Sequence, residues 1–260
     1  MKLLSLNIWA GTQGQPLFDY LKSQAEHTDI FCFQEVFRTA EKIQPPKAAG
    51  RMFIFQELQE LLPNYTPLFA LTSKNHDLEK VVDFQVEAGM AMFVKNNLEI
   101  LAEDQTPIFG TRGDSIDPTS ANIPTVLQRV ELRTAGKIVN VCNYHGTAYP
   151  GDKLDTPQRL EQAQKINRIL SGLTGSKILC GDFNLTANIE SIKILEQGMR
   201  NLISEFNITN TRNEISWNKY QNKQHFADFT FVSPEVKVQS FEVPYNTVSD
   251  HLPMILDFSL

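Results

Sequence analysis

Lys137-Ile-Val-Asn-Val-Cys-Asn-Tyr-His145, then Thr156 to Leu173, then Lys177-Ile-Leu-Cys-Gly-Asp-Phe-Asn184 read as strand, helix and strand. Thr156 is placed to cap the helix and Pro157 suits its first turn. Leu160, Ala163, Ile166, Ile169, Leu170 and Leu173 recur at helical spacing to form its buried stripe. Runs such as Lys177-Ile178-Leu179-Cys180 are apolar on consecutive residues, as strands covered on both faces must be.

The same pattern occurs at the start of the chain. Lys2 to Trp9 reads as a strand, Pro16 to Glu26 as an amphipathic helix and Asp29 to Val36 as a second strand. Both units deliver polar groups where an apolar strand ends: Asn7 and Glu35 in the first, His145 and Asp182 in the second. Two such units facing each other would bring all four to one rim. Between them, Tyr65 to Ala70, Gly89 to Lys95, Leu98 to Leu101 and Val126 to Leu132 read as strands, and Arg51 to Leu62 as a helix. Glu103 to Thr125, rich in Pro, Gly, Asp, Ser and Thr, reads as a long loop. Phe226 to Val232 and Met254 to Phe258 complete the sheets. No linker interrupts this pattern, so residues 1–260 are expected to form a single domain of the α/β class.

The chain has 260 residues, enough for one large core without disulfide or metal staples. No apolar run reaches the roughly 18 residues of a membrane span, so no stable membrane insertion is expected. The N-terminal apolar stretch is broken by Ser5 and Asn7 and reads as a strand, not a signal peptide. Cys32, Cys142 and Cys180 are an odd number of cysteines inside strand-like runs, which points to reduced thiols in a cytoplasmic compartment. The net charge of −6 argues against a broadly basic nucleic-acid binder. However, Glu35, Asp182, Asp228 and Asp250 belong to the proposed site, where a divalent cation would offset them.

Glu35 and Asn7 offer hard oxygen donors suited to Mg²⁺ or Mn²⁺, and Glu35 with Asp250 supplies the one or two carboxylates that Mg²⁺ takes. No Cys/His cluster at ligand spacing favours zinc. In Asp182-Phe183-Asn184, strand alternation puts the acid and the amide on one face and Phe183 in the core. Such an acid can take a proton from water while the amide donates to a phosphoryl oxygen. His251, in Ser249-Asp250-His251, can stabilise charge or carry a proton, with Asp228 fixing its tautomer; His145 is a second candidate. His27, His76 and His225 sit in polar sequence surroundings and take no role. Each group alone has an ordinary structural explanation. Their order along one chain does not.

Asn7 in LNIW, Glu35 in QE, His145, Asp182 and Asn184 in GDFN, Asp228 and the SDHLP element together resemble the endonuclease/exonuclease/phosphatase superfamily, from Leu3 to Phe258. The resemblance implies a four-layer α/β/β/α sandwich of two mixed β-sheets flanked by helices. It implies that Asn7, Glu35 and Asp250 bind or support the metal. Asp182 would orient or deprotonate water, Asn184, His145 and His251 would contact phosphate, and Asp228 would orient His251. Apurinic-site endonucleases typically carry tyrosine where this chain has His145, which turns the reading away from that subgroup. The expected activity is metal-dependent phosphoester hydrolysis by a monomer, with nucleic acid the first substrate and a phospholipid or small phosphoester the second. A calcineurin-like metallophosphoesterase would need an upstream Asp-x-His that is lacking, an α/β-hydrolase a Gly-x-Ser-x-Gly elbow. An inactive binding module would normally have lost one of these groups. Substrate choice is expected in the loops Arg38 to Gly50, Glu103 to Thr125 with Arg112, and Thr209 to Tyr220 with Arg212, Trp217 and Tyr220.

Overall fold

The computed structural model describes residues 1–40, 42, 44–220 and 224–260. Its strands are β1 (Lys2–Asn7), β2 (Ile30–Arg38), β3 (Tyr65–Lys74), β4 (Glu87–Lys95), β5 (Glu99–Phe109), β6 (Asp114–Ser115), β7 (Thr125–Thr134), β8 (Lys137–His145), β9 (Ser176–Asp182), β10 (Arg200–Asn201), β11 (Asp228–Val232), β12 (Lys237–Glu242) and β13 (Met254–Ser259). The main helices are α1 (Gln15–Ala25), α2 (Ile54–Leu61), α3 (Pro157–Gly172) and α4 (Glu190–Leu195), followed by the shorter α5 (Leu202–Glu205) and α6 (Glu214–Tyr220). One mixed sheet has the order β12-β13-β1-β2-β4-β3-β6, the other β10-β11-β9-β8-β7-β5.

Alternation along the strands sorts the core into layers. Leu3, Ile30, Cys32 and Met92 join the cluster that contains the second sheet, with Val141, Leu179 and Phe229. Leu4, Leu6, Phe31 and Phe33 join the cluster built with α1 and α2, through Leu17, Leu21, Ile54 and Leu58. Ala163, Ile166 and Leu170 of α3 and Ile192 of α4 cover the far side of the second sheet. The result is the expected four-layer α/β/β/α sandwich. Phe33 is fully buried against Phe31 and Phe93, so Phe33→Ala would cost about 3–5 kcal/mol.

A polar seam crosses the apolar interior and locks the two sheets in register. Gln34 Nε2 donates to Asn143 Oδ1 at 2.6 Å, Asn143 Nδ2 donates to Gln128 Oε1 at 3.2 Å, and Gln128 Nε2 donates to the Leu68 carbonyl at 2.9 Å. All three side chains are fully buried, so a sliding of one sheet on the other would leave several polar groups unsatisfied.

Two local expectations are corrected. Glu103 to Phe109 is strand, not loop: it pairs with β7 on one side only, and an edge strand tolerates Pro107 and a polar sequence. Glu35 is inside β2 and does not end it. The pairing with β4 shifts between Phe33 and Val36, and Glu35 has φ +55°. That bulge re-aims its carboxylate toward the rim.

Candidate active site

The site forms where the ends of β1, β8, β9 and β11 meet the segment before β13. Asp182 is the meeting point. On one side of it β8 runs parallel, with His145 in register; on the other β11 runs antiparallel, with Asp228 in register. Gly181 permits this packing, since a Cβ there would come within 2.0 Å of the Tyr144 carbonyl, at a φ of +136° that other residues resist. Phe183 points into the core among Tyr144, Phe229 and Phe231, as expected. Asn184 reaches the site differently from the expected alternation: its φ of +53° turns the chain, and its amide N–H donates to Asp182 Oδ1 at 2.8 Å.

Three groups converge on the other oxygen of Asp182. Asn7 Nδ2 donates to Oδ2 at 2.9 Å, while His145 Nε2 and His251 Nε2 lie 3.6 and 3.7 Å from it. Asn7 Nδ2 also donates to Glu35 Oε1 at 3.0 Å, and its own Oδ1 accepts from the Trp9 amide at 2.9 Å. Asn7 therefore holds the two carboxylates together, with its carbonyl oxygen accepting from the chain. His251 Nδ1 donates to Asp228 Oδ2 at 2.8 Å, the pairing the sequence predicted. Ser249 Oγ donates to the Asn7 carbonyl at 2.6 Å, which ties the Ser-Asp-His segment to β1. Asp250 lies with Oδ2 at 3.9 Å from Arg212 Nη2 and Oδ1 at 4.0 Å from His251 Nε2.

Charge among these buried groups biases their protonation states. Burial pushes the Asp182 carboxyl up, but His251, His145 and Lys153 outweigh it and hold the group well below the usual carboxylate range. Burial opposes a charge on His251, yet the carboxylates of Asp228, Asp182 and Asp250 raise its pKa to about 9, which favours the imidazolium at neutral pH.

A cavity of about 120 Å³ opens on this constellation and is lined by Glu35, Asp182, Asn184, Asp250, His251 and two cations. Arg212 stands among the residues predicted from sequence; Lys153 does not. Both are buried, and Lys153 Nζ donates to Asn184 Oδ1. Burial brings the Lys153 ammonium down to about 8, partly opposed by Asp182. Lys153 sits in a loop with φ +59°, so no strand or helix periodicity marks it.

Two other side chains named in the loops make internal contacts. Arg112 donates to the Leu71 carbonyl, and Trp217 packs on His225 and donates to the Gln224 carbonyl. The Tyr220 side chain and residues 41 and 43 lie outside the described residues. His76, assigned polar surroundings from sequence, is buried and bonded to Ser73.

Glu35, His145 and Asp182 bring ligand atoms within 4.8 Å of one another. Two carboxylates beside one imidazole, with Asp250 in the same cavity, fit a hard divalent cation such as Mg²⁺ or Mn²⁺. Asp182, Asp228 and His251 are as close, but His251 Nδ1 is already committed to Asp228.

The fold matches solved proteins over nearly all of their length. A family protein from Leptotrichia buccalis is 18% identical with a TM-score of 0.74, covering 100% of both chains. A mannosyl-6-phosphatase of Bacteroides thetaiotaomicron is 17% identical with a TM-score of 0.68, again over 100% of both chains. The catalytic domain of human Nocturnin, with bound sulfate, is 19% identical with a TM-score of 0.67, covering 100% of this chain and 93% of that one. No curated protein matches this chain in sequence. The sequence model of one family matches residues 4–251, a span that holds every one of the site residues, and the chain belongs to the Endonuclease/Exonuclease/phosphatase family.

Proposed function

We propose that this protein is a divalent-metal-dependent phosphoester hydrolase. The convergence of Asn7, His145 and His251 on a single oxygen of Asp182 carries the reading. An ionised carboxylate among imidazoles can align a water and accept its proton as the water oxygen attacks phosphorus and the ester P–O bond breaks. His251, as an imidazolium backed by Asp228, donates to a phosphoryl oxygen as charge develops there. Lys153 and Arg212 line the same cavity, where their positive charge complements a phosphate. Glu35 and Asp250 would hold Mg²⁺ or Mn²⁺, with Asn7 fixing the Glu35 carboxylate. When bound, such a cation neutralises phosphoryl charge.

Nucleic acid is the first substrate to test and a small phosphoester the second; a family neighbour that acts as a mannosyl-6-phosphatase favours including the latter. No helix among the described residues is long and apolar enough to cross a membrane. Three free, buried cysteines support a reducing, cytoplasmic compartment. The test is hydrolysis of DNA, RNA, a phospholipid and generic phosphoesters with Mg²⁺ or Mn²⁺, each repeated in excess EDTA. Activity lost in EDTA and restored by Mg²⁺ is expected. Undiminished activity in EDTA, or none on any phosphoester with either metal, overturns the reading.

A further inference from the structure

Beside the catalytic cavity lies a second pocket of about 150 Å³, and Glu35, Ala148 and Tyr149 line both. A group attached to a phosphate at the first site would therefore extend into the second. The wall is apolar and aromatic, built from Trp9, Phe37, Leu78, Ile123, Pro124 and Tyr149. Trp9 holds its place at a cost: its backbone and that of Ala10 both have φ +47°. Its amide donates to Asn7 Oδ1, so the residue that holds Glu35 and Asp182 together also fixes this wall.

Several of the pocket's polar groups already serve one another, while Thr125 Oγ1 has no hydrogen-bond partner among the described residues. Ser73 Oγ donates to His76 Nε2 at 2.6 Å, and His76 Nδ1 donates to the Asp77 carbonyl at 2.7 Å. Thr72 Oγ1 donates to the Ala88 carbonyl, and the Asp77 carboxylate accepts from the amides of Ala49, Glu79 and Lys80. A polyhydroxylated occupant would find few of these groups open to it, and would leave its own hydroxyls poorly satisfied. The volume is that of an apolar cavity that accepts one benzene ring, too small for a lipid chain or a drug-sized group.

We infer that this pocket is a specificity subsite that takes one planar ring, aryl or nucleobase, carried by the phosphoester. The inference rests on the phosphoesterase reading of the neighbouring site. Stacking on Trp9 and burial of the ring face would supply the affinity, and Lys219, whose Nζ sits 4.6 Å from the Trp9 ring centroid, closes the rim.

Non-hydrolysable probes separate the two ideas. With Mg²⁺ present, phenylphosphonate is expected to bind at least about tenfold more tightly than methylphosphonate by calorimetry, from burial of the ring. Ile123→Trp, which plugs the pocket from its loop, should reduce that ratio to near unity. Equal affinity for the two phosphonates in the wild-type protein, or binding of neither, overturns the subsite whatever the hydrolysis assays show. A ratio unaltered in a folded Ile123→Trp protein overturns the assigned location. Hydrolysis of simple phosphoesters without ring selectivity would sink the subsite and leave the hydrolase intact; ring-selective binding without hydrolysis of any phosphoester would do the reverse.

Discussion

Asn7 and Asp182 come from different sheets, and the 2.9 Å hydrogen bond between them joins the two sheets at the rim of the site. The Asn7 amide bridges Asp182 to Glu35, so one side chain screens two carboxylates that would otherwise repel. Asn7→Asp would put a third acid there and Asn7→Ala would leave the pair unbridged. Either change should lower metal affinity or turnover by about 10–100-fold, as loss of an outer-shell partner does. Metal titration of activity, alongside thermal melting, checks this. A folded Asn7→Ala protein with an unchanged metal midpoint and turnover would show that Asn7 only fills space.

Asp182 and His251 should be the two most sensitive positions. Asp182→Asn keeps the shape but removes the proton acceptor, and His251→Ala removes the buried cation; each should lower turnover by about two to four orders of magnitude. Because both are buried in one charged cluster, stability must be measured with activity. Turnover within a few-fold of wild type in either folded variant would exclude the role given to that residue.

The strand-end groups of this site were legible because each follows an apolar run, and a polar residue there stands out against the period of the strand. Asn7, His145 and Asp182 end strands as read, Asp228 begins β11 where the strand was expected from Phe226, and His251 pairs with Asp228. What was not legible depends on backbone irregularity. The bulge at Glu35 leaves no mark in a sequence that simply reads FCFQEVFR, since inserting one residue only shifts the alternation. Lys153 sits in a turn and is recruited by Asn184 from a distant part of the chain. β12 is an edge strand with mostly exposed or half-buried residues, so its apolar signal is weak.

Lys153 is the recruited residue whose importance can be read most directly. Lys153→Met keeps most of the stem and removes the charge that faces Asn184 and Asp182. Loss of one charge-assisted hydrogen bond to a phosphate should weaken kcat/KM by about 10–100-fold. The Lys153→Arg variant should recover part of it. Unchanged kcat/KM in Lys153→Met would make the lysine a support for Asn184 alone.

Cys32, Cys142 and Cys180 are all fully buried, and burial pushes the Cys142 thiol up to about 12. Cys180 Sγ donates to the Cys142 carbonyl at 3.6 Å, and all three belong to the core cluster between the sheets. They therefore act as small apolar residues. Cys→Ala changes should each cost about 1 kcal/mol and leave the metal requirement unaltered. Titration of the unfolded, unreduced protein should count three free thiols; a count of one would reveal a disulfide and overturn the cytoplasmic proposal.

His76 gives the fold a testable acid limb. Its Nδ1–H is committed to the Asp77 carbonyl and its Nε2 accepts from Ser73, so the ring is neutral, and burial lowers its pKa below the ordinary 6.5. Above the unfolded pKa both states are neutral and the pair contributes its full stability. As pH falls below it, the unfolded chain binds a proton that the folded chain refuses, and stability declines toward the folded pKa. His76→Gln removes the titrating ring from the same place. It should lower stability at pH 7 while flattening the decline between pH 7 and pH 5, read as urea midpoints at each pH. The decline must shrink in the variant, because only a group that protonates more readily when unfolded can produce it; an equal slope in both proteins would place the acid sensitivity elsewhere.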